Sequence, residues 1–270
     1  MPAPDHMPAQ LRTYRLTALR DVPAPKLRIA LFADLHAAEP HMGMLRIESL
    51  VKQTNALKAD VILLLGDYVG HHIGGRDLIP AEVAGALAKL QAPLGVFAVF
   101  GNHDWRDDPE AQRSGQPTKW HHALDEAGIT ILSNDLVQMK VGGRSINLVG
   151  IESQRALQTF WKRRPEGFDD LDAVLPNLDP AQFTILMAHE PDIFANLPDH
   201  IDLTVSGHTH GGQVAPFGRP IVVPSKYGRR FAYGHHVENA RQLVVSGGLG
   251  YSGLPIRIGR PPEIVLVDLT

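Results

Sequence analysis

One pattern recurs along this chain and limits its folds more than any other: a short aliphatic run that stops abruptly at Asp, Asn or His. Residues 27–33 end in Asp34-Leu35-His36 and residues 61–65 in Gly66-Asp67. Residues 96–100 end in Gly101-Asn102-His103-Asp104, 183–188 in His189-Glu190-Pro191, and 201–206 in Gly207-His208-Thr209-His210. Each run has the length and composition of a buried strand. Between several of them lie helical spacings. Ile47, Leu50, Val51, Thr54 and Leu57 follow i, i+3, i+4, i+7, as do Val83, Leu87 and Leu90 less cleanly. Further strands are expected at 129–132, 137–141, 145–151, 241–246 and 263–269. Strands alternating with helices predict an α/β fold of parallel or mixed sheets covered by helices. The two halves share one set of motifs, so residues 27–270 read as one domain. Residues 1–26 form an extension with room for an edge strand. Residues 216–233, rich in Pro and Gly, read as a long loop between two strands, and loops of that length in a compact domain tend to be functional.

Ligands of open α/β sheets sit outside the carboxyl ends of the strands, so a single rim could gather all five polar ends. In extended backbone, residues i and i+2 project to one side, which pairs Asp34 with His36 and His208 with His210. Asn102 and His103 are adjacent and cannot aim at one point in extended structure. If Asn102 is a ligand, His103 is presented to substrate. The candidate metal ligands are Asp34, His36, Asp67, Asn102, His189, His208 and His210. Seven exceed what one catalytic zinc uses, about three protein ligands plus water, whereas two ions sharing a carboxylate fit the number. Imidazole, carboxylate and amide oxygen without sulfur suit Mn, Fe or Zn better than Ca or Mg. Two divalent ions against the carboxylates of Asp34 and Asp67 leave positive charge that a phosphate ester would neutralise. Metal coordination also lowers the pKa of water to about 7, so the reaction class is metal-assisted hydrolysis of a phosphoester.

Composition narrows the alternatives. The 270 residues are 44% hydrophobic and 20% charged, as in an ordinary globular protein with a sizeable core. With 26 basic and 29 acidic side chains the net charge is -3, which gives no field for non-specific nucleic-acid binding. There is no cysteine, which excludes disulfides and thiolate metal sites, whereas there are fourteen histidines. The longest apolar runs, 61–65 and 94–100, fall far short of the roughly 20 residues of a membrane span. The start MPAPDHMPAQ shows no secretory signal, so the expectation is a cytoplasmic protein. Basic patches such as Trp161-Lys162-Arg163-Arg164 leave room for peripheral contact with the anionic inner membrane, although a solvated face is the commoner role. Oligomeric state is left open.

The motifs D-x-H, G-D, G-N-H-D, a lone His and G-H-x-H, in that order over residues 34–210, resemble the calcineurin-like metallophosphoesterase superfamily. The segments GHTHGGQV, PSKYGRRFAYGHH and VVSGGLGYSGLPIRIGRPPEI are similar to its bacterial YkuE/YaeI-like phosphodiesterase branch. The resemblance implies a four-layer sandwich of two mixed β-sheets flanked by helices, with a metal site at the carboxyl ends of the strands. It implies one ion on Asp34, His36, Asp67 and His210 and another on Asp67, Asn102, His189 and His208, with Asp67 bridging. His103 would be the catalytic residue, stabilising the transition state or protonating the leaving oxygen, while a metal-bridging hydroxide attacks phosphorus in line. The substrate would be a phosphoester, with lipid- or nucleotide-linked ones in range. Related phosphatases often carry an acidic residue three positions after the bridging Asp to orient that histidine; here the position is Gly70.

Simpler roles compete for each residue. Asp34 and Asp67 could cap helices, Asn102 could serve a turn, His189 could line a loop, and His208 and His210 could be a solvated turn. The ordered set outweighs these one by one. For substrate contact the candidates are His41, His71, Arg229 and Arg230, the arginines through bidentate phosphate contacts. His121 and His122 read as a helix surface, and Gly247-Gly248-Leu249-Gly250 as a turn. Two other functions are carried. One is a UDP-2,3-diacylglucosamine pyrophosphohydrolase of lipid A synthesis, which exposed Leu, Ile and Phe around the site would favour although no amphipathic helix is visible to line an acyl groove. The other is a non-catalytic metal-binding interaction module, disfavoured because no ligand position is missing.

Overall fold

The computed structural model describes residues 8–157 and 166–270, which leaves the Trp161-Lys162-Arg163-Arg164 run outside the described residues. Two six-stranded mixed sheets face each other. The first is ordered Gln10–Leu16, Glu263–Leu269, Leu27–Phe32, Val61–Leu64, Val96–Ala98, Thr130–Ile131. Its last four strands are mutually parallel, and Glu263–Leu269 runs antiparallel to Leu27–Phe32. Gln10–Leu16 adds the outer edge in parallel. The second sheet is ordered Gly234–Glu238, Arg241–Val245, Leu203–Ser206, Phe183–Met187, Arg144–Gly150, Asp135–Val141. Its four central strands are parallel and each edge strand is antiparallel.

Alternation along the strands divides the apolar residues among three cores, since successive side chains point to opposite faces. Ile29, Leu31, Val61 and Leu63 meet Ile146, Leu148, Ile185, Met187, Leu203 and Val205 between the sheets. Ala30, Phe32, Ile62 and Leu64 turn outward to the helices Met44–Ala56, Pro80–Leu87 and Lys119–Glu126. Val149, Leu186, Leu243 and Val245 turn the other way, onto Phe194, Phe231 and the short helical segments Leu171–Val174 and Pro191–Asn196. The layers therefore run helix, sheet, sheet, helix. The Pro80–Leu87 helix begins with proline in its first turn, where a missing N–H costs nothing.

The sheet strands and the two helices expected from the sequence are present, most with ends shifted by one or two residues, and Glu263–Leu269 matches throughout. The first apolar residue of the 201–206 run, Ile201, packs outside the sheet before the strand starts at Leu203. Residues 216–233 connect Leu203–Ser206 to the edge strand Gly234–Glu238 and hold one short helical turn, Pro216–Gly218. One expectation is overturned: His121 is not on a helix surface. It is buried on the Lys119–Glu126 helix, stacked on Phe100 at 3.4 Å between ring centroids and bonded to Glu152 at 3.1 Å, while His122 is exposed.

Leu63 is fully buried between the sheets and Leu45 is 74% exposed on the first helix. Leu63→Ala should cost about 2–5 kcal/mol of stability and Leu45→Ala within about 0.5 kcal/mol. Urea unfolding of both variants checks this, and similar losses for the two would contradict the inter-sheet core.

Candidate metal centre

The carboxyl ends of five strands, three from the first sheet and two from the second, deliver the candidate ligands to one buried rim. They do so by a route the extended-backbone argument does not provide. Asp34, His36, Asp67, His208 and His210 all have positive φ, at 52°, 46°, 55°, 70° and 52°. Left-handed backbone at non-glycine residues is uncommon and costs of order 1 kcal/mol or more, so five such residues together mark a site whose geometry is imposed by its surroundings. Cross-connections impose it here. Asp34 N–H donates to Gly66 O at 3.1 Å, His36 N–H to Asp67 O at 2.9 Å, and His208 N–H to Asp34 Oδ1 at 2.8 Å.

The side chains gather into two groups, Asp34 with His36 and His210, and Asp67 with His189 and His208. Asp67 stands between them. Its Oδ1 accepts the His103 backbone N–H at 2.9 Å, while its Oδ2 lies 3.6 Å from His36 Nε2 and 3.2 Å from His189 Nε2. Ligands about 2.0–2.2 Å from one ion sit roughly 3.0–3.5 Å from each other, so these spacings suit a carboxylate oxygen shared by two ions. Backbone carbonyls turn the imidazoles. Val69 O takes His36 Nδ1 at 2.9 Å, Leu65 O takes His189 Nδ1 at 2.6 Å, and Pro224 O takes His208 Nε2 at 3.0 Å. The ring nitrogen left over in each case faces the cluster, the arrangement that orients metal-binding histidines.

Asp34 Oδ2 and His189 Nε2 are buried with no hydrogen-bond partner, the latter lying near Asp67 Oδ2 without hydrogen-bond direction. The Asn102 amide abuts His208 Nδ1; its NH2 can donate there at 2.8 Å while its oxygen accepts from His103 N–H and Arg106 Nη1, each at 3.2 Å. Buried polar atoms without partners, such as Asp34 Oδ2, are costly unless something positive lies beside them, and a divalent cation fits the donor set.

Protonation follows burial and charge. Burial pushes Asp34 up to about 7 despite the His189 imidazole beside it. Burial also raises Asp67, but the surrounding histidines, His189 foremost, outweigh it and hold Asp67 well below the usual carboxylate range. His189 is correspondingly held high by Asp67 against its burial. Burial drives His36 down to about 4 and takes His103, His208 and His210 well below their ordinary value, leaving them neutral.

His103 stands apart from these groups. Its ring packs on His71 at 3.8 Å between centroids and edge-on to His36 at 5.3 Å. Position 70 has no room for an acidic side chain, because a Cβ there would meet Asp77 Oδ1 at 2.3 Å. The neighbour that flanks His103 is therefore the His71 ring. His41 lies farther out, its ring 5.2 Å from His72 and 5.6 Å from Tyr251. Arg229 is exposed, and Arg230 is committed elsewhere, donating to both Glu238 carboxylate oxygens at 2.9 and 2.7 Å.

Three residues that sequence reasoning passed over complete the rim. Arg257 Nη2 sits 3.0 Å from His210 Nδ1 and also donates to Gly250 O, and Arg155 Nη1 donates to Pro224 O while lying 3.2 Å from His208 Nε2. Asp104 accepts four backbone N–H groups, from Asp67, Tyr68, Val69 and Gly101, at 2.8 to 3.2 Å. The motif glycines are explained by contact: a Cβ on Gly101 would lie 2.1 Å from Asp67 Oδ1, and one on Gly207 2.6 Å from Asp34 Oδ2.

Asp104→Ala would leave four buried N–H groups to find other partners, at about 1–3 kcal/mol for each one that fails. A loss of at least about 3 kcal/mol is expected in urea unfolding. Asp104→Asn, which keeps the shape and one acceptor, should lose less. A cost under about 1 kcal/mol for Asp104→Ala would contradict this role.

Residues 27–212 match the calcineurin-like phosphoesterase family. A metallophosphoesterase of Caenorhabditis elegans is 32% identical over 250 residues, covering 90% of this chain and 48% of its own length. The metallophosphoesterase YkuE of Bacillus subtilis is 29% identical over 252 residues, covering 90% and 78%. The chain thus spans about half of the first relative and most of the second. In fold it is similar to the NAD nucleotidase of Haemophilus influenzae, with a TM-score of 0.54 and 15% identity over 83% of this chain and 46% of that one. By its sequence motifs, its two sheets and its clustered ligands, the chain belongs to the calcineurin-like phosphoesterase family.

Proposed function

We propose that the chain is a metal-dependent phosphoester hydrolase, and more narrowly a phosphodiesterase working with two divalent ions of Mn, Fe or Zn. The observation that carries this reading is Asp67 Oδ2, held between His36 Nε2 and His189 Nε2 while Oδ1 is occupied by a backbone N–H. Asp34, His36, Asp67 and His210 would hold one ion, and Asp67, Asn102, His189 and His208 the other. When bound, the ions supply Lewis acidity, making water a nucleophile at neutral pH and drawing charge from the phosphoryl oxygens.

The chain's own part is to orient and to stabilise charge. His103, neutral through burial, can donate a hydrogen bond from its ring N–H to the phosphoryl group or the leaving oxygen as the P–O bond breaks. The His71 ring limits its rotation. A diester suits the rim better than a monoester. The guanidiniums beside His208 and His210, those of Arg155 and Arg257, both donate to backbone carbonyls, and a monoanionic diester asks less of them than a dianion.

Purified protein stripped with a chelator should be inert on bis-p-nitrophenyl phosphate and regain activity on adding Mn. Asp67→Ala should abolish that recovery, and His103→Ala should lower kcat by about 10²–10⁴-fold while still binding metal. Equal activity of Asp67→Ala and wild type would sink the reading. Metal binding must also displace the protons of Asp34 and His189, so acid should weaken it. Below pH 7 the apparent Mn affinity should fall about tenfold per pH unit for each proton displaced, measured by titration calorimetry from pH 8 to 6. Affinity that does not change across that range would count against these ligands.

A further inference from the structure

The cluster opens on a groove of about 500 Å³, within the range of ligand pockets. His208 and His210 form its inner end, and Val214, Ile221, Val222 and Leu254 form its walls. Two loops build it, residues 213–224 and 251–260, and they are locked together. Ala215 N–H donates to Ile258 O at 2.8 Å, Ile258 N–H to Gln213 O at 2.9 Å, and Arg260 Nη2 to Gly218 O at 3.1 Å. Of the twelve large apolar side chains exposed among the described residues, six lie on these two loops: Phe217, Ile221, Val222, Leu254, Ile256 and Ile258. Singly exposed apolar residues are normal on any surface, whereas such a concentration at the mouth of a site marks binding.

The side chains of Gln213 and Thr209 in the groove are already engaged. Gln213 Nε2 donates to Ser252 O and Leu254 O at 3.0 and 2.8 Å, its Oε1 accepts from Ser252 N–H at 2.8 Å, and Thr209 Oγ1 donates to Ala232 O at 2.7 Å. No Phe, Tyr or Trp is among the lining residues, so away from the two histidines a nucleobase would find no ring to stack on. A saturated hydrocarbon needs neither hydrogen bonds nor stacking. Its far end would carry the phosphate back to His208 and His210, which belong to both the groove and the metal cluster.

Resting on the phosphodiesterase reading, we propose that this groove takes the hydrocarbon chain of an amphiphilic phosphodiester, so the substrate class is a lipid-type diester whose tail lies between the two loops. Hexyl-, octyl- and decylphosphocholine are phosphodiesters with a single alkyl chain. Each is used below its critical micelle concentration in titration calorimetry, with release of the alcohol followed in parallel samples. A buried methylene strengthens binding by up to about fourfold, so affinity should rise at least about tenfold from the six- to the ten-carbon chain. Val222→Asp and, separately, Leu254→Asp should flatten the series to less than about threefold; the two side chains are 71% and 54% exposed, so the fold should survive both, as a melting curve will show.

Equal affinity for the three chains in the wild type, or a series that survives both substitutions, overturns the proposal. So does a dimer in sedimentation that Val222→Asp dissolves while chain length has no effect, because a second copy would then own the face. Binding and turnover are read apart. Chain-length dependence without hydrolysis of any phosphodiester removes the phosphodiesterase reading and leaves the groove, and hydrolysis without chain-length dependence does the reverse.

Discussion

A carboxylate sealed from water has to be neutralised by whatever surrounds it, and Asp67 is served by groups from both sheets. His36 follows the Leu27–Phe32 strand and His189 follows Phe183–Met187 in the opposite sheet, and each brings Nε2 toward Asp67 Oδ2. The backbone N–H of His103, from the end of a third strand, holds Oδ1. The apolar layer between the sheets sets their distance, but hydrophobic contact is non-directional and does not by itself fix how the rims align. The hydrogen bonds that cross between the rims, His189 Nδ1 to Leu65 O at 2.6 Å and His208 N–H to Asp34 Oδ1 at 2.8 Å, are directional and fix that alignment. Asp104 extends the same logic to the backbone, since its carboxylate holds the turn that carries Asp67. Burial pushes Asp104 up to about 7, with the Asp67 charge adding to it, and four N–H donors are what it receives in return.

How much of this could be read beforehand follows from the range of each interaction. Strands such as 61–64 are visible because an apolar run ending in Gly-Asp is a local event, and the ordered polar ends point to a shared rim by topology alone. The pairing of His208 with one group and His210 with the other came from family resemblance. Its geometric reason lies in left-handed backbone that no spacing rule announces. Asp104 was passed over because its partners, 35 to 37 residues away in three of four cases, become neighbours only in the fold. Arg155 and Arg257 meet His208 and His210 across 53 and 47 residues. His121 was misread for the same reason, its partner Glu152 being 31 residues on. The Asp and Asn of the motifs could be assigned early because each directly follows a strand or a strand-end glycine. The arginines could not, since their long side chains act far from their own backbone.

The loops that wall the groove also hold the candidate ligand imidazoles from behind, and the two jobs use different atoms. Pro224 offers its backbone carbonyl to His208 and Arg155, and Arg257 spans Gly247, Gly250 and His210. These contacts depend on where the main chain runs. The apolar side chains of Ile221, Val222 and Leu254 point to the open side and make no part of that support. Side chains on such loops can therefore change without disturbing the imidazoles, provided the backbone path is kept. On the proposed reading a single centre could then serve many substrates: its candidate ligands are held by main-chain contacts and buried carboxylates, and the exposed side chains that would fit a substrate lie one step away.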